Sequence, residues 1–286
     1  MDFIENDYTK ENDYTRENDY TRENEFNFND FLRFCTIDEQ NCYNILKNFE
    51  NEDLNDISFY NTDITGESLA KFIKDQPKKL KYINLENVKN LNLEYLKETF
   101  SKSTYIKELN LNNNSLMDQL SYLNVIINSN KSIEILNISK TDIFNIFNTT
   151  IEHLNNFIEA IKYNGTIKTL KMEYTLKNKQ NIINLIFDEG LKYNNSIETL
   201  DLSNNNIFDC KVISKSIKNN TNLKKIDLSN NIITNKDLSD LLRGLRNVNR
   251  KSILNINLKN NKYITYVYKN EIPKYVLLEV NNIEVY

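Results

Sequence analysis

Glycine, histidine, cysteine and long apolar runs are all scarce in this 286-residue chain, and each scarcity removes a class of function. Four glycines could scarcely supply a phosphate-cradling loop, which needs backbone free of Cβ atoms at several adjacent positions. The one histidine, His153, stands between Glu152 and Leu154 with no cysteine or second histidine at ligand spacing, so neither a metal site nor a histidine general base is expected. Three cysteines, Cys35, Cys42 and Cys210, are too few and too scattered for a disulfide framework and fit a reducing compartment. Cys210, at a predicted helix start between Asp209 and Lys211, is expected to be a structural thiol. No basic-then-apolar leader opens the chain, and no apolar run reaches the roughly 18 residues of a membrane span. A cytoplasmic protein without a membrane partner is the expectation. Excess positive charge is also missing: the formal net charge is −4 with a pI near 5.4, which argues against sequence-independent nucleic-acid binding. No cofactor is implied and catalysis is not indicated.

Asparagine, isoleucine, lysine and tyrosine are abundant instead. All four have AT-rich codons, so part of this bias is expected to be genomic. Residues 5–22 are three near-identical hexads of the form Glu-Asn-Asp-Tyr-Thr-Lys/Arg, and a degraded fourth follows at Glu23–Phe26. Six residues do not hold one helical face, and one aromatic per hexad cannot offset the entropy of ordering. The expectation is a disordered tail over 1–25, either a tolerated expansion or an accessible array of Tyr8, Tyr14 and Tyr20. Within 26–50, Thr36-Ile37-Asp38-Glu39 has a capping-box pattern and Cys42, Ile45, Leu46 and Phe49 share one stripe, which predicts an N-terminal capping helix.

From residue 51 to 262 one spacing returns eight times: aliphatic, apolar at +3 and +5, usually Asn or Thr at +8, usually apolar at +10. Register starts fall at Leu54, Leu80, Ile106, Ile133, Ile167, Ile197, Leu223 and Ile253, a mean step of about 28 residues, which is a solenoid period. Positions +3 and +5 alternate like a strand buried on one face, and a helical stripe such as Leu238, Leu241, Leu242 and Leu245 follows each turn. The +8 side chain is expected to bond the turn backbone. Val88, which cannot, predicts the least regular turn. The long unit from Ile133 to Ile167 predicts extra residues on the outer face, and 263–286 predicts a C-terminal strand cap.

The pattern resembles the ribonuclease-inhibitor-like class of leucine-rich repeats. The joins Asn130-Lys131-Ser132-Ile133, Asn164-Gly165-Thr166-Ile167 and Asn194-Asn195-Ser196-Ile197 are similar to that class's step from helix to next strand, and Asn220-Thr221-Asn222-Leu223 is a looser copy. Asn90 and Lys177, at +10 sites, depart from it. The resemblance implies an α/β horseshoe of about eight repeats, with parallel strands on the concave face and helices on the convex face. It also implies a non-catalytic intracellular protein-interaction module. The alternatives are a regulator of an enzyme or small GTPase, or a substrate-recognition subunit of a ubiquitin ligase.

Positions +2, +4 and +6 point away from such a core. Among them Tyr60, Tyr82 and Ile135 have hot-spot character, and Asp56, Glu86 and Glu108 give them an acidic surround. These six are the candidate partner-binding residues, for a protein with an apolar tip and basic rim, and Tyr60 and Tyr82 are expected within diagonal contact. Arg243, Arg246 and Arg250 follow i, i+3, i+7 spacing and form a candidate secondary basic patch on one helix face.

Overall fold

The computed structural model describes residues 55–64, 66–75, 80–145, 147, 149–246, 250–281 and 284–286. The hexads, the expected helix within 26–50 and the first register residue Leu54 lie outside the described residues. The strands are β1 (Asp56–Ser58), β2 (Tyr82–Asn84), β3 (Glu108–Asn110), β4 (Ile135–Asn137), β5 (Thr169–Lys171), β6 (Thr199–Asp201), β7 (Lys225–Asp227), β8 (Leu254–Asn257), β9 (Tyr266–Val267), β10 (Val276–Glu279) and β11 (Glu284–Val285). The helices are α1 (Gly66–Asp75), α2 (Leu93–Lys102), α3 (Leu120–Ser129), α4 (Ile151–Tyr163), α5 (Gln180–Leu185, continued by a π-helical turn over Ile186–Leu191), α6 (Lys211–Asn219) and α7 (Asn235–Gly244).

Strands β1 to β8 and then β10 form one nine-stranded parallel sheet in chain order, and β9 pairs with β11 apart from it. Each coil places its +3 residue in register with the next: Ile57, Ile83, Leu109, Leu136, Leu170, Leu200, Ile226 and Ile256 make one buried column. The +5 residues Phe59, Leu85, Leu111, Ile138, Met172, Leu202, Leu228 and Leu258 make a second buried column. Helix residues such as Leu96, Leu123, Ile161 and Leu241 close the core from the other side. Parallel strands stack about 4.8 Å apart and packed helices 8–10 Å apart, so the stack must curve with its strands inside.

Two buried asparagine columns tie coil to coil. At +8, the Asn114 Nδ2 donates to Leu85 O at 2.7 Å and Leu111 O at 2.8 Å, while its Oδ1 accepts from the Val88 amide at 2.8 Å. Asn205, Asn231 and Asn261 act in the same way toward the coils before them. The second column is the join expected from the sequence. Asn130, Asn164, Asn194 and Asn220 each donate to a carbonyl of the preceding coil and accept from the amides two and three residues on.

A third column was not anticipated. The +7 residue of all eight units (Asn61, Asn87, Asn113, Lys140, Tyr174, Asn204, Asn230 and Asn260) has a positive φ, between 54° and 61°. Six are asparagines, the residue other than glycine that enters this region at least cost. A chain with four glycines therefore turns on asparagine, and part of its asparagine richness is structural rather than genomic. This corrects the turn expectation at Val88. Its coil keeps the same left-handed residue, Asn87, and Asn114 of the next coil bonds the Val88 amide.

The +10 departures are absorbed by one-residue shifts. Leu91 is buried beside Asn90, itself left-handed at 57°, and Leu176 is buried beside Lys177. The long fourth unit carries its extra residues in the loop after Thr141 and in the 13-residue α4, where Phe144 meets Phe157 edge to face at 5.0 Å.

The last unit keeps its +3 and +5 residues in place and departs only at its first position. Ile253 is 48% exposed and Leu254 is buried in its place. The cause lies three residues earlier. Arg250 occupies the join position held by asparagine in the four preceding coils, and its Nη1 donates to Asn220 O at 3.0 Å. A guanidinium has no acceptor to offer the two following amides. The two amides that follow therefore lack the side-chain acceptor that the asparagine joins supply.

Candidate functional site

Three columns of side chains project from the strand face. The +2 column runs Asp56, Tyr82, Glu108, Ile135, Thr169, Thr199, Lys225, Asn255 and Leu277 across neighbouring strands. Four of the six candidate binding residues thus stand side by side at its start. Tyr60 and Glu86 are neighbours in the +6 column, on coils joined by the bond from the Asn61 amide to Glu86 O at 3.1 Å. The +4 column is occupied with itself: Asn110 Nδ2 donates to Asn84 Oδ1 at 2.8 Å, Asn84 Nδ2 to Ser58 Oγ at 3.0 Å, and Asn257 Nδ2 to Asp227 Oδ2 at 2.8 Å.

Chemistry follows from that division. Among the described residues the side chains of Asp56, Tyr60, Tyr82, Glu86 and Glu108 have no hydrogen-bond or ion-pair partner. Tyr60 and Tyr82 are 40% and 44% exposed, and Ile135 is half-buried. The two tyrosines are not in contact, contrary to expectation. They sit four strand positions apart, about 13 Å along the strand direction, at opposite margins of the face. Ile135 flanks Glu108, with Thr169 beyond it. In the later coils Lys259 pairs with Glu279 at 2.9 Å, Lys140 with Glu173 at 3.5 Å, and Asp201 accepts from Ser203. Ser203 is 7% exposed and counts as part of the interior, not the surface its +6 position suggested.

The arginine triplet does not share a face. Helix α7 ends at Gly244, so Arg246 lies in the turn beyond it and Arg250 is buried at the coil join. Burial lowers the Arg250 pKa from its usual range, and its Nε and Nη2 have no partner. Arg243 and Arg246 remain exposed, with contacts to Ser239 Oγ at 3.5 Å and Asn270 O at 3.4 Å. Cys210 is fully buried at the entrance of α6. Desolvation, then the carboxylates of Asp237, Asp209 and Asp240, push its thiol far above the ordinary range. Among the described residues no group of three or more His, Cys, Asp or Glu side chains could hold a metal ion, and no helix is long and apolar enough to cross a membrane.

One cluster escaped the sequence reading. Tyr266, Tyr268 and Tyr286 gather with ring centroids 5.5, 5.9 and 6.2 Å apart, because β11 returns to pair with β9. Alternation of Tyr266 and Tyr268 was visible, but the return of Tyr286 was not. The whole-chain charge was also misleading: residues 1–54 hold 15 acidic and 5 basic side chains, whereas 55–286 hold 25 acidic and 31 basic. The reasoning against nucleic acid from a net −4 does not apply to the coils themselves.

No protein-family profile matches the chain, and no curated protein matches it in sequence. Solved structures do. A crystal structure of a TLR13–ssRNA13 complex aligns with TM-score 0.55 and 16% identity, over 83% of this chain and 34% of that one. An internalin (InlF) from Listeria monocytogenes aligns at TM-score 0.42 and 14% identity, over 84% and 64%. The Rad7–Elc1 complex of yeast aligns at 0.35 and 12%, over 85% and 88%. The chain spans about a third of the TLR13 chain it resembles. At these identities the likeness concerns fold alone, and the fold is an α/β leucine-rich-repeat solenoid.

Proposed function

We propose that this chain is a non-catalytic protein-binding module of the ribonuclease-inhibitor-like type, and that its partner docks on the concave face over β1–β4. Support for the subtype comes from the helix-to-strand joins, where four asparagines stand at the place of that class's Asn and bond the preceding coil. The binding site rests on one observation above the others. Asp56, Tyr82, Glu108 and Ile135 are in register on four adjacent strands with Tyr60 and Glu86 beside them, and none of their side-chain polar groups is spent on the fold. The +4 asparagines between them are spent. A rigid sheet presents such side chains with little ordering cost on association. Aromatic anchors inside an acidic surround favour a protein partner with an apolar tip and a basic rim.

The test is affinity capture from the native source, with wild-type chain and a Tyr60→Ala/Tyr82→Ala double variant side by side. The expected result is a bound protein whose affinity falls by at least about 30-fold in the variant, the loss of an aromatic hot spot. Equal capture by both chains would overturn the site.

A further inference from the structure

We propose that the acidic N-terminal segment, residues 5–25, docks on a basic surface formed by α6 and α7 of the same molecule. The surface is not the one its arginine spacing suggested. Helix α6 has the sequence Lys-Val-Ile-Ser-Lys-Ser-Ile-Lys-Asn, so Lys211, Lys215 and Lys218 are exposed on a helix with no acidic residue. Arg243 at the end of the adjacent α7 and Arg246 just beyond it complete the patch. The two helices approach closely because residue 244 is glycine: a Cβ there would lie 2.7 Å from the Ser214 Cβ.

Charge in this region is strongly one-sided. Residues 205–251 contain ten basic and four acidic side chains. Two of those four acids serve the backbone: Asp237 closes the capping box with Thr234, and the Asp209 carboxylate accepts from the Lys211 amide at 3.0 Å. Asp227 is turned to the strand face and bonded to Asn257. Asp240 alone stands on α7 near the patch. Among the described residues none of Lys211, Lys215, Lys218, Arg243 and Arg246 has a carboxylate partner, although lysines elsewhere in the array find one.

The complement lies in the same chain. Residues 5–25 hold eight acidic and three basic side chains, with an Asp-Tyr pair in each hexad. Reach is sufficient. Five coil steps separate α1 from α6, about 50 Å at the 8–10 Å spacing of packed helices. Residues 26–54 span about 70 Å even if 36–50 form the helix their pattern predicts. Tethering raises the effective concentration of the segment to about the millimolar range, so weak electrostatic contacts suffice. Phosphorylation of Tyr8, Tyr14 or Tyr20 would strengthen the contact by adding negative charge.

Zero-length carbodiimide cross-linking of the full chain tests this, using an equal mixture of 15N-labelled and unlabelled protein at low ionic strength. Mass spectrometry should find carboxylates of residues 5–25 joined to Lys211, Lys215 and Lys218 within one isotopic species. Yield should fall at least about fivefold in 0.5 M NaCl, where the Debye length is far shorter. An Arg243→Glu/Arg246→Glu variant keeps the reactive lysines, so its yield should fall at least about threefold by charge repulsion alone, with its unfolding midpoint monitored for folding. Links spread as densely over Lys71, Lys74 and Lys131, links joining labelled to unlabelled chains, or a yield indifferent to salt and to the arginine changes would each overturn the proposal.

Discussion

Replacing Asn194 by alanine should destabilise the chain far more than replacing Asn195, although both residues sit in the same short turn. The Asn194 side chain is fully buried. Its Nδ2 donates to Ile161 O at 2.7 Å and Asn164 O at 3.0 Å, and its Oδ1 accepts from the Ser196 and Ile197 amides at 2.9 and 2.8 Å. Alanine strands Ile161 O of the preceding coil and two amides of its own, all away from water, while Asn164 O keeps the Ser196 hydroxyl at 2.8 Å. Each orphaned buried group costs about 1–3 kcal/mol, but local shifts recover part of this, so a total of about 3–5 kcal/mol is expected. Asn195 is exposed, and Asn195→Ala should cost less than about 0.5 kcal/mol. Urea unfolding followed by both far-UV dichroism and tyrosine fluorescence is the assay, since agreement between probes guards against partial unfolding of an array. The midpoint should fall for Asn194→Ala with little change in slope. Asn194→Asp keeps the acceptor but sets a carboxylate against two carbonyls, and should be no milder. A loss below about 1 kcal/mol at Asn194, or equal losses at the two positions, would refute the idea that buried asparagines hold the coils together.

Leu202→Ala should cost about 2–5 kcal/mol as a buried truncation, and Ser203→Ala about 1–2 kcal/mol because its hydroxyl donates to the Asp201 carboxylate at 2.7 Å. Equal unfolding midpoints for the serine variant and wild type would return Ser203 to the surface. Arg250→Asn restores one acceptor oxygen for the two following amides and removes a buried guanidinium with unpartnered donors, so calorimetry should show a stability gain of about 1–2 kcal/mol; a loss of that size would show that the arginine stem is needed for packing. Cys210, with its thiol pKa raised by burial and nearby carboxylates, holds its proton through neutral and moderately alkaline pH. Peptide mapping after alkylation at pH 8 should therefore find it unmodified in the folded chain and modified in urea, and labelling without denaturant would contradict the placement.

Much of the fold was legible because the +3 and +5 columns obey one periodicity over two hundred residues. Burying them leaves a single strand register, which all eight units keep at +3 and +5. Only the first position of the eighth was misread: Ile253 and Leu254 are equally apolar, and Leu254 enters the core where Arg250 stands in place of the join asparagine. The left-handed +7 asparagines were present in the sequence but hidden by the abundance of asparagine everywhere else. The site was less legible than the fold. Strand alternation identifies which side chains face outward, and so gave Tyr60, Tyr82 and Ile135. It does not say how far apart two outward positions lie, so the tyrosine pair was misjudged. Helical spacing grouped Arg243 with Arg246 and Arg250, but a helix that stops at Gly244 cannot hold that face. Likewise the α6 lysines drew no notice, because their value depends on α7 packing beside them.

Hydroxyl-radical footprinting of the full chain, free and bound to its captured partner, tests the concave-face reading most directly, because tyrosine oxidation reports side-chain exposure residue by residue. Tyr60 and Tyr82 should be oxidised readily in the free chain and protected at least about fivefold in the complex, as anchors driven into a dry interface are. Tyr163 and Tyr193, exposed on the convex side, should be unchanged. Protection of Tyr163, Tyr193 or the Tyr266–Tyr268–Tyr286 cluster, with Tyr60 and Tyr82 still oxidised as in the free chain, would contradict the account.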